Sequence, residues 1–393
     1  MSPPCAHDEM LLAHHDCQGD DRRIHALVIG VGRYLKAAPR YGTRLESLPG
    51  AALAAYRFAH YLINEFQHQE PHGRRLATLR LLLSPLERER DSVKDLRHGP
   101  AERQEVAVAL QDWAYDCNTD DQNLAVLYVA GHGVALGKST SLLFLADAPT
   151  ERSLALAAIN LRLTEDLMSD CAAKNNLFFY DRCAVQAGVI PGNQAGALAI
   201  SEFPTHADGK KRASLLCVNA ARVGTESFAI GKDGTLLARG LLGDYRDRTG
   251  DDALLRIAGE LVPNVGFGIT PHRLNEMLSP CLQGIAVNRR VPAEGYEATL
   301  TLTGQFEVGA ITVPRPTPMF KVTLKGLRSG RTSPVAVTLL DFEGGSLPLI
   351  TDGDDFEDIE VRLVPAGDYT LQINGGDPPF QKLQVTGERT VHA

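Results

Sequence analysis

Long apolar runs are missing from this chain. No stretch approaches the roughly 18 residues that a membrane-spanning helix needs, so no membrane association is expected. Positive charge is not in excess either: the formal net charge is −8, which leaves no basic field to attract a polyanion and argues against nucleic acid as a partner. Cysteines number only seven, an odd count without framework spacing, so a disulfide scaffold is excluded and reduced thiols in the cytoplasm are expected. The opening MSPPCAHDEMLLAHHDCQGDD has no basic segment ahead of an apolar one and does not read as a secretory signal.

What is present fits a globular protein, with 44% apolar and 22% charged residues. A length of 393 residues is too great for one ordinary core, so about two or three domains are expected. Residues 1–22 hold Cys5, His7, His14, His15 and Cys17, but their spacing matches no standard zinc pattern. The expectation there is a mobile polar extension and no metal.

From residue 23 to about 312, short apolar runs alternate with amphipathic stretches. IHALVIGV (24–31), LATLRLLL (76–83), NLAVLYVA (123–130), NLFFY (176–180) and SLLCVNA (214–220) are continuous runs, as expected of strands buried on both faces. Between them, Ala52, Ala55, Ala59, Leu62, Ile63 and Phe66 recur at helical spacing, as do Val106, Ala109, Leu110, Trp113 and Ala114. Thr164 reads as an N-cap ahead of Glu165 and Asp166, and Thr270 as another ahead of Pro271. Alternating strands and helices predict an α/β domain built on a mainly parallel sheet with helices on both faces.

VPRPTP (313–318) breaks the pattern as a semi-rigid linker. Beyond it, in 319–393, the apolar period switches to two, as in Phe320, Val322 and Leu324 or Tyr369, Leu371 and Ile373. Short strands punctuated by Gly- and Asp-rich turns predict a small all-β sandwich. LVPAGDYTLQI resembles the turn-and-strand signature of transthyretin-like or PEGA-type accessory domains, a resemblance that implies binding or bracing of partners.

The stretch YVAGHGVALGKSTS (128–141) offers two chemistries. Gly137, Lys138 and Ser139 suggest the tail of a phosphate-binding loop, but the motif then needs glycine where His132 stands. The following SLLFLAD looks extended, so the helix that would hold the phosphates is absent. GVG at 30–32 is a still weaker dinucleotide fingerprint, because Leu35 takes the third glycine position.

The histidine is the better candidate. In an open parallel α/β sheet, ligands bind beyond the carboxyl ends of the strands. His132 lies just past the third predicted strand and Cys183 just past the fourth. If those strands are neighbours, about 4.8 Å apart, an imidazole meets a thiol there. That pair is the minimum device for nucleophilic catalysis, since the histidine raises the thiolate fraction and then protonates the leaving amine.

HALVIGVGRYLK, LPGAALAAYRFAHYL, YVAGHGV, NLFFYDRC and LLCVNAARVGTESFAIGKDGTLLARGLL, in this order, resemble the caspase-like cysteine peptidases of clan CD, comprising caspases, metacaspases and bacterial relatives. His132 and Cys183 are 51 residues apart, and the caspase spacing is about 50. The resemblance implies Cys183 as nucleophile, His132 as general acid/base, and the backbone N–H groups of Gly133 and Cys183 as an oxyanion hole. It also implies that Asp181 lines the first specificity pocket, where a carboxylate suits an arginine or lysine side chain. Arg182, between Asp181 and Cys183, departs from the family pattern.

The segment 184–213 stands where family members carry an inter-subunit linker cut on activation, and it contains Lys210, Lys211 and Arg212 as a processing site. The implied protein is a zymogen that cleaves protein substrates, with an activating protease or a regulatory protein as further partners and a role in bacterial defence. No cofactor is expected. The acidic TDGDDFEDIE (351–360) is the one calcium candidate, and it does not match EF-hand spacing. The alternative is a catalytically silent scaffold or sensor of the same fold.

Overall fold

A computed structural model describes residues 11–14, 22–36, 45–66, 74–136, 140–151, 154–182, 185–186, 197–200, 213–221, 234–243, 254–257, 260–262, 266–288 and 298–304. In the C-terminal part it describes 319–325, 337–340, 346–347, 358–365, 367–373, 380–385 and 389–392. The chain divides into two compact units, Met1–Pro314 and Arg315–Ala393.

The first unit is built on an eight-stranded sheet. Its strands are β1 (Leu11–His14), β2 (Arg23–Val31), β3 (Arg75–Ser84), β4 (Gly99–Pro100), β5 (Leu124–Gly131), β9 (Asn175–Arg182), β11 (Ser214–Asn219) and β14 (Thr299–Thr303). The order is β1-β3-β2-β5-β9-β11-β14, with β4 on β3. Strands β3, β2, β5, β9 and β11 run parallel; β1 and β14 close the two edges antiparallel. A smaller sheet lies beyond β5 and comprises β6 (Gly133–Leu136), β7 (Thr140–Phe144), β8 (Ala158–Asn160) and β10 (Val185–Gln186). A third pairing joins β12 (Glu260–Val262) to β13 (Gly266–Gly268).

Helices cover both faces, as the continuous apolar strands require. Alternate residues of β2 divide between two cores: Ile24, Ala26 and Val28 face α1 (Ala51–Tyr61), α4 (Leu236–Leu242), α5 (Leu254–Ile257) and α6 (Pro271–Asn288). Leu27, Ile29 and Val31 face α2 (Arg103–Cys117) and the turn after α3 (Leu161–Met168). A fully buried aliphatic side chain contributes about 1.5–3 kcal/mol, so these paired cores hold the central strands firmly and leave their carboxyl ends as a fixed platform.

Gly30 serves this packing: a Cβ there would lie 2.6 Å from Ala55 Cβ, so its lack of side chain lets α1 seat on the sheet. The GVG stretch is thus a helix–strand contact. Likewise β7 follows the GKS sequence where a phosphate loop would need a helix, so that reading is excluded; residues 137–139 themselves lie outside the described residues.

Three elements differ from expectation. Residues 1–22, expected to be a mobile extension, include β1, because the apolar Leu-Leu-Ala segment finds an open strand edge on β3. Thr164 is not an N-cap. The cap lies four residues earlier, with the Asn160 carboxamide oxygen accepting from Leu163 N at 3.2 Å and Thr164 buried inside the helix, donating its hydroxyl to Asn160 O at 3.0 Å. Leu161, fully buried, anchors that earlier start. TLTLT (299–303) forms β14, an edge strand without the length that marks the central ones. Thr270 does cap α6, accepting from Arg273 N at 3.2 Å.

The second unit is all β among its described residues. It holds a three-stranded sheet of β15 (Met319–Lys325), β18 (Asp358–Pro365) and β21 (Arg389–His392). It also holds a four-stranded sheet of β16 (Val337–Leu340), β17 (Ser346–Leu347), β19 (Gly367–Ile373) and β20 (Phe380–Val385).

Candidate active site

Strand β5 is buried along its whole length and ends at Gly131, and β9 is buried along its length and ends at Arg182. The two pair in parallel from Leu124↔Asn175 to Gly131↔Arg182. Three residues further on, β6 and β10 pair in parallel again, Val134 with Val185 and Ala135 with Gln186. Both stretches keep the same offset of 51 residues, equal to the separation of His132 and Cys183. The flanking pairs therefore bracket position 132 on one segment and position 183 on the other. Cys183 lies outside the described residues, as do Lys210, Lys211 and Arg212.

His132 is held at three points. Its backbone N–H donates to the Tyr34 hydroxyl at 2.8 Å, and its carbonyl accepts from Phe144 N at 2.9 Å. Its Nε2 lies 2.8 Å from the carbonyl oxygen of Glu46. A carbonyl can only accept, so Nε2 carries the proton and Nδ1 of the neutral ring presents a lone pair. That is the tautomer a general base needs, and no side chain is required to set it. Gly133 is buried as the first residue of β6, opposite Leu143.

Asp181, opposite Ala130 at the end of β9, is buried. Its Oδ2 accepts from the Tyr128 hydroxyl at 2.6 Å and from the Thr235 hydroxyl. Burial first, and the adjacent carboxylate second, push the Tyr128 phenol well above its ordinary range, so it remains a neutral donor. Thr235 also accepts from Ala238 N at 3.3 Å as the N-cap of α4. One hydroxyl thus ties a helix start to the strand that leads to position 183.

Arg182 points to the opposite face. Its guanidinium donates to Ser141 Oγ of β7 and lies over the Tyr180 ring, 5.9 Å from the centroid. Arg182 thus links β9 to the smaller sheet.

The loop carrying Glu46 ends at Gly50, whose φ of +88° suits glycine. A Cβ there would fall 2.5 Å from Gly234 O. The segment that anchors His132 and the segment that leads to Thr235 therefore touch backbone to backbone. Glu89, buried, accepts from Gly50 N at 2.8 Å and Leu86 N at 3.1 Å, fixing the start of α1.

Other cysteines make a contrast. Cys117, Cys171 and Cys217 are buried in the apolar core, and burial raises their thiols, that of Cys171 to about 12. Such thiols are not nucleophiles at neutral pH. Among the described residues, no group of three or more His, Cys, Asp and Glu could hold a metal; most of the acidic stretch 351–360 lies outside them.

Sequence reasoning missed Tyr34, Tyr128, Thr235 and the Glu46 carbonyl. Tyr34 lies three residues past β2 on the same carboxyl edge, so the edge rule could have found it. Glu46 acts through its main chain and leaves no residue-type signal.

No family model matches the chain, and no curated protein matches it. Among solved structures, protein GSU0716 from Geobacter sulfurreducens is similar with a TM-score of 0.43 and 14% identity, over 75% of this chain and 98% of that one. Caspase-1 from Spodoptera frugiperda is similar with a TM-score of 0.31 and 16% identity, over 58% of this chain and 69% of that one. Likenesses this distant leave the chemistry of the site to its own residues. The chain is a mixed α/β protein with a mainly parallel central sheet, and no described helix is long and apolar enough to cross a membrane.

Proposed function

We propose that the chain is a caspase-like cysteine endopeptidase. The observation that carries this reading is the shared 51-residue offset on both sides of His132 and Cys183, together with an imidazole whose Nε2–H is spent on Glu46 O. In the proposed reaction the Cys183 thiol passes its proton to His132 Nδ1, and the thiolate attacks the scissile carbonyl. The oxyanion is held by the N–H groups of Gly133 and Cys183, and His132 returns the proton to the leaving amine. Water, deprotonated by the same imidazole, then hydrolyses the thioester and frees Cys183.

Asp181 supplies the negative charge that selects arginine or lysine at P1, with Tyr128 and Thr235 orienting its carboxylate. Cleavage at Lys210, Lys211 or Arg212 accompanies activation, and the C-terminal unit recruits a regulatory partner. No cofactor takes part in this chemistry, and a requirement for calcium is checked by including a chelator.

The test is a positional-scanning peptide library and a thiol-reactive peptide ketone with P1 arginine, applied to wild type and Cys183→Ala. Cleavage after basic residues and labelling that disappear in Cys183→Ala are expected. Absence of both, with the 184–213 segment cut as well as intact, would leave a silent scaffold as the function.

A further inference from the structure

We infer that Tyr34 is a positioning residue for His132, acting through both its hydroxyl and its ring; the inference rests on the peptidase reading above. Tyr34 is buried, and its hydroxyl oxygen accepts the His132 backbone N–H at 2.8 Å. Its ring centroid lies 5.2 Å from that of the imidazole, with 31° between the planes. One side chain therefore grips the main chain of His132 and walls one face of its ring.

The tyrosine is itself fixed. Arg33 N donates to Ser84 O at 2.7 Å and Leu35 N to Ala146 O at 2.8 Å, so the residues on both sides are pinned. A Cβ on Gly131 would meet the Tyr34 hydroxyl at 3.3 Å, so the phenol is packed against the end of β5. Glu46 O then holds the tip of the imidazole. Tip, face and main chain together leave the ring little freedom, which matters because misplacing a proton-transfer group by a fraction of an ångström lowers the rate.

The two parts have separate consequences. The hydroxyl holds the peptide that runs from Gly131 into His132, one residue ahead of the proposed oxyanion donor Gly133, so its loss acts on turnover. The ring closes one face of the imidazole and keeps its Nε2 turned toward Glu46 O. Its loss therefore acts on the orientation of the His132 ring.

The experiment compares wild type, Tyr34→Phe and Tyr34→Leu by kcat, KM and pH profile on a peptide with P1 arginine. Alongside, the ring ¹⁵N–H resonances of His132 are recorded at one pH in the same variants on a Cys183→Ala background, which needs no turnover. Tyr34→Phe is expected to lower kcat about tenfold with KM held, and to keep the Nε2–H resonance that Glu46 O holds. Tyr34→Leu is expected to lower kcat about a hundredfold and to broaden that resonance as the ring gains freedom. A tyrosine that only stabilises the fold would change the melting temperature and neither the resonance nor the kcat-to-KM split. An unchanged resonance in Tyr34→Leu overturns the inference. A broadened resonance in a protein that cleaves no peptide upholds it for His132 and overturns the peptidase reading instead.

Discussion

Two histidines on adjacent strands of one sheet have opposite surroundings. His25, near the start of β2, is buried, with Nδ1 2.8 Å from the Thr78 hydroxyl and Nε2 without a hydrogen-bond partner. Its carbonyl accepts from Trp113 Nε1 at 3.0 Å. Burial lowers its pKa to about 4, with the nearby cations Arg23 and Arg80 pushing the same way and Asp116 opposing. His132, past the end of β5, is half-buried and tied at its tip to a main-chain carbonyl. The residue type alone says little. Depth in the sheet decides which ring stays neutral as packing material.

The comparison can be broken most directly at its active end. His132→Ala is expected to lower Cys183-dependent peptide cleavage by about 10³-fold with an unchanged unfolding midpoint. A fall in stability with activity retained would reverse the assignment.

The opposite end is probed by acid. The folded pKa of His25 lies below its unfolded value of 6.5, so the unfolded chain binds the extra proton between those values. Stability is full above about pH 6.5, and about 3 kcal/mol is lost by pH 4 on account of this one residue. Urea unfolding of wild type and His25→Leu across that window should show the slope flattened in the variant.

Glu89 lies between the two regimes, because it holds the start of α1 next to the loop that carries Glu46. Glu89→Ala is expected to cost about 2 kcal/mol, leaving Gly50 N without its acceptor, and to weaken cleavage as well. Denaturant titration and kcat, read together, check the coupling. Trp113→Phe removes the bond to His25 O and leaves a cavity where the larger indole packed, and should cost about 2 kcal/mol with no change in activity. A larger effect on activity than on stability would show that the amino end is not a passive support.

The central strands are legible because burial on both faces demands uninterrupted apolar sequence, as in LAVLYVA and NLFFY. Their adjacency is not written in either segment; it follows from the helices that cross between them. The edges are harder. Leu11–His14 is only four residues long, and Thr299–Thr303, TLTLT, has no buried residue and carries the alternation of any exposed strand. Thr164 misleads because a threonine ahead of two acids mimics a helix start, whereas Leu161 and Asn160 fix the real one through burial and capping. At the candidate site, His132 is picked out by its place past a strand end, whereas Gly133 and Asp181 enter only through the family resemblance. The supports come from distant segments, Tyr34 and Thr235 by side chain and Glu46 by main chain, and only the folded chain assembles them.

The common offset on either side of His132 and Cys183 has a consequence for how this protein can vary. Side chains alternate faces along a strand, so a single residue inserted within 124–131 or 175–182 would slide the pairing and send the side chains beyond it to the opposite core. Substitutions in these stretches change what the strands are made of; an insertion changes which residues meet. The protected quantity is length. Two chain segments act as matched rulers.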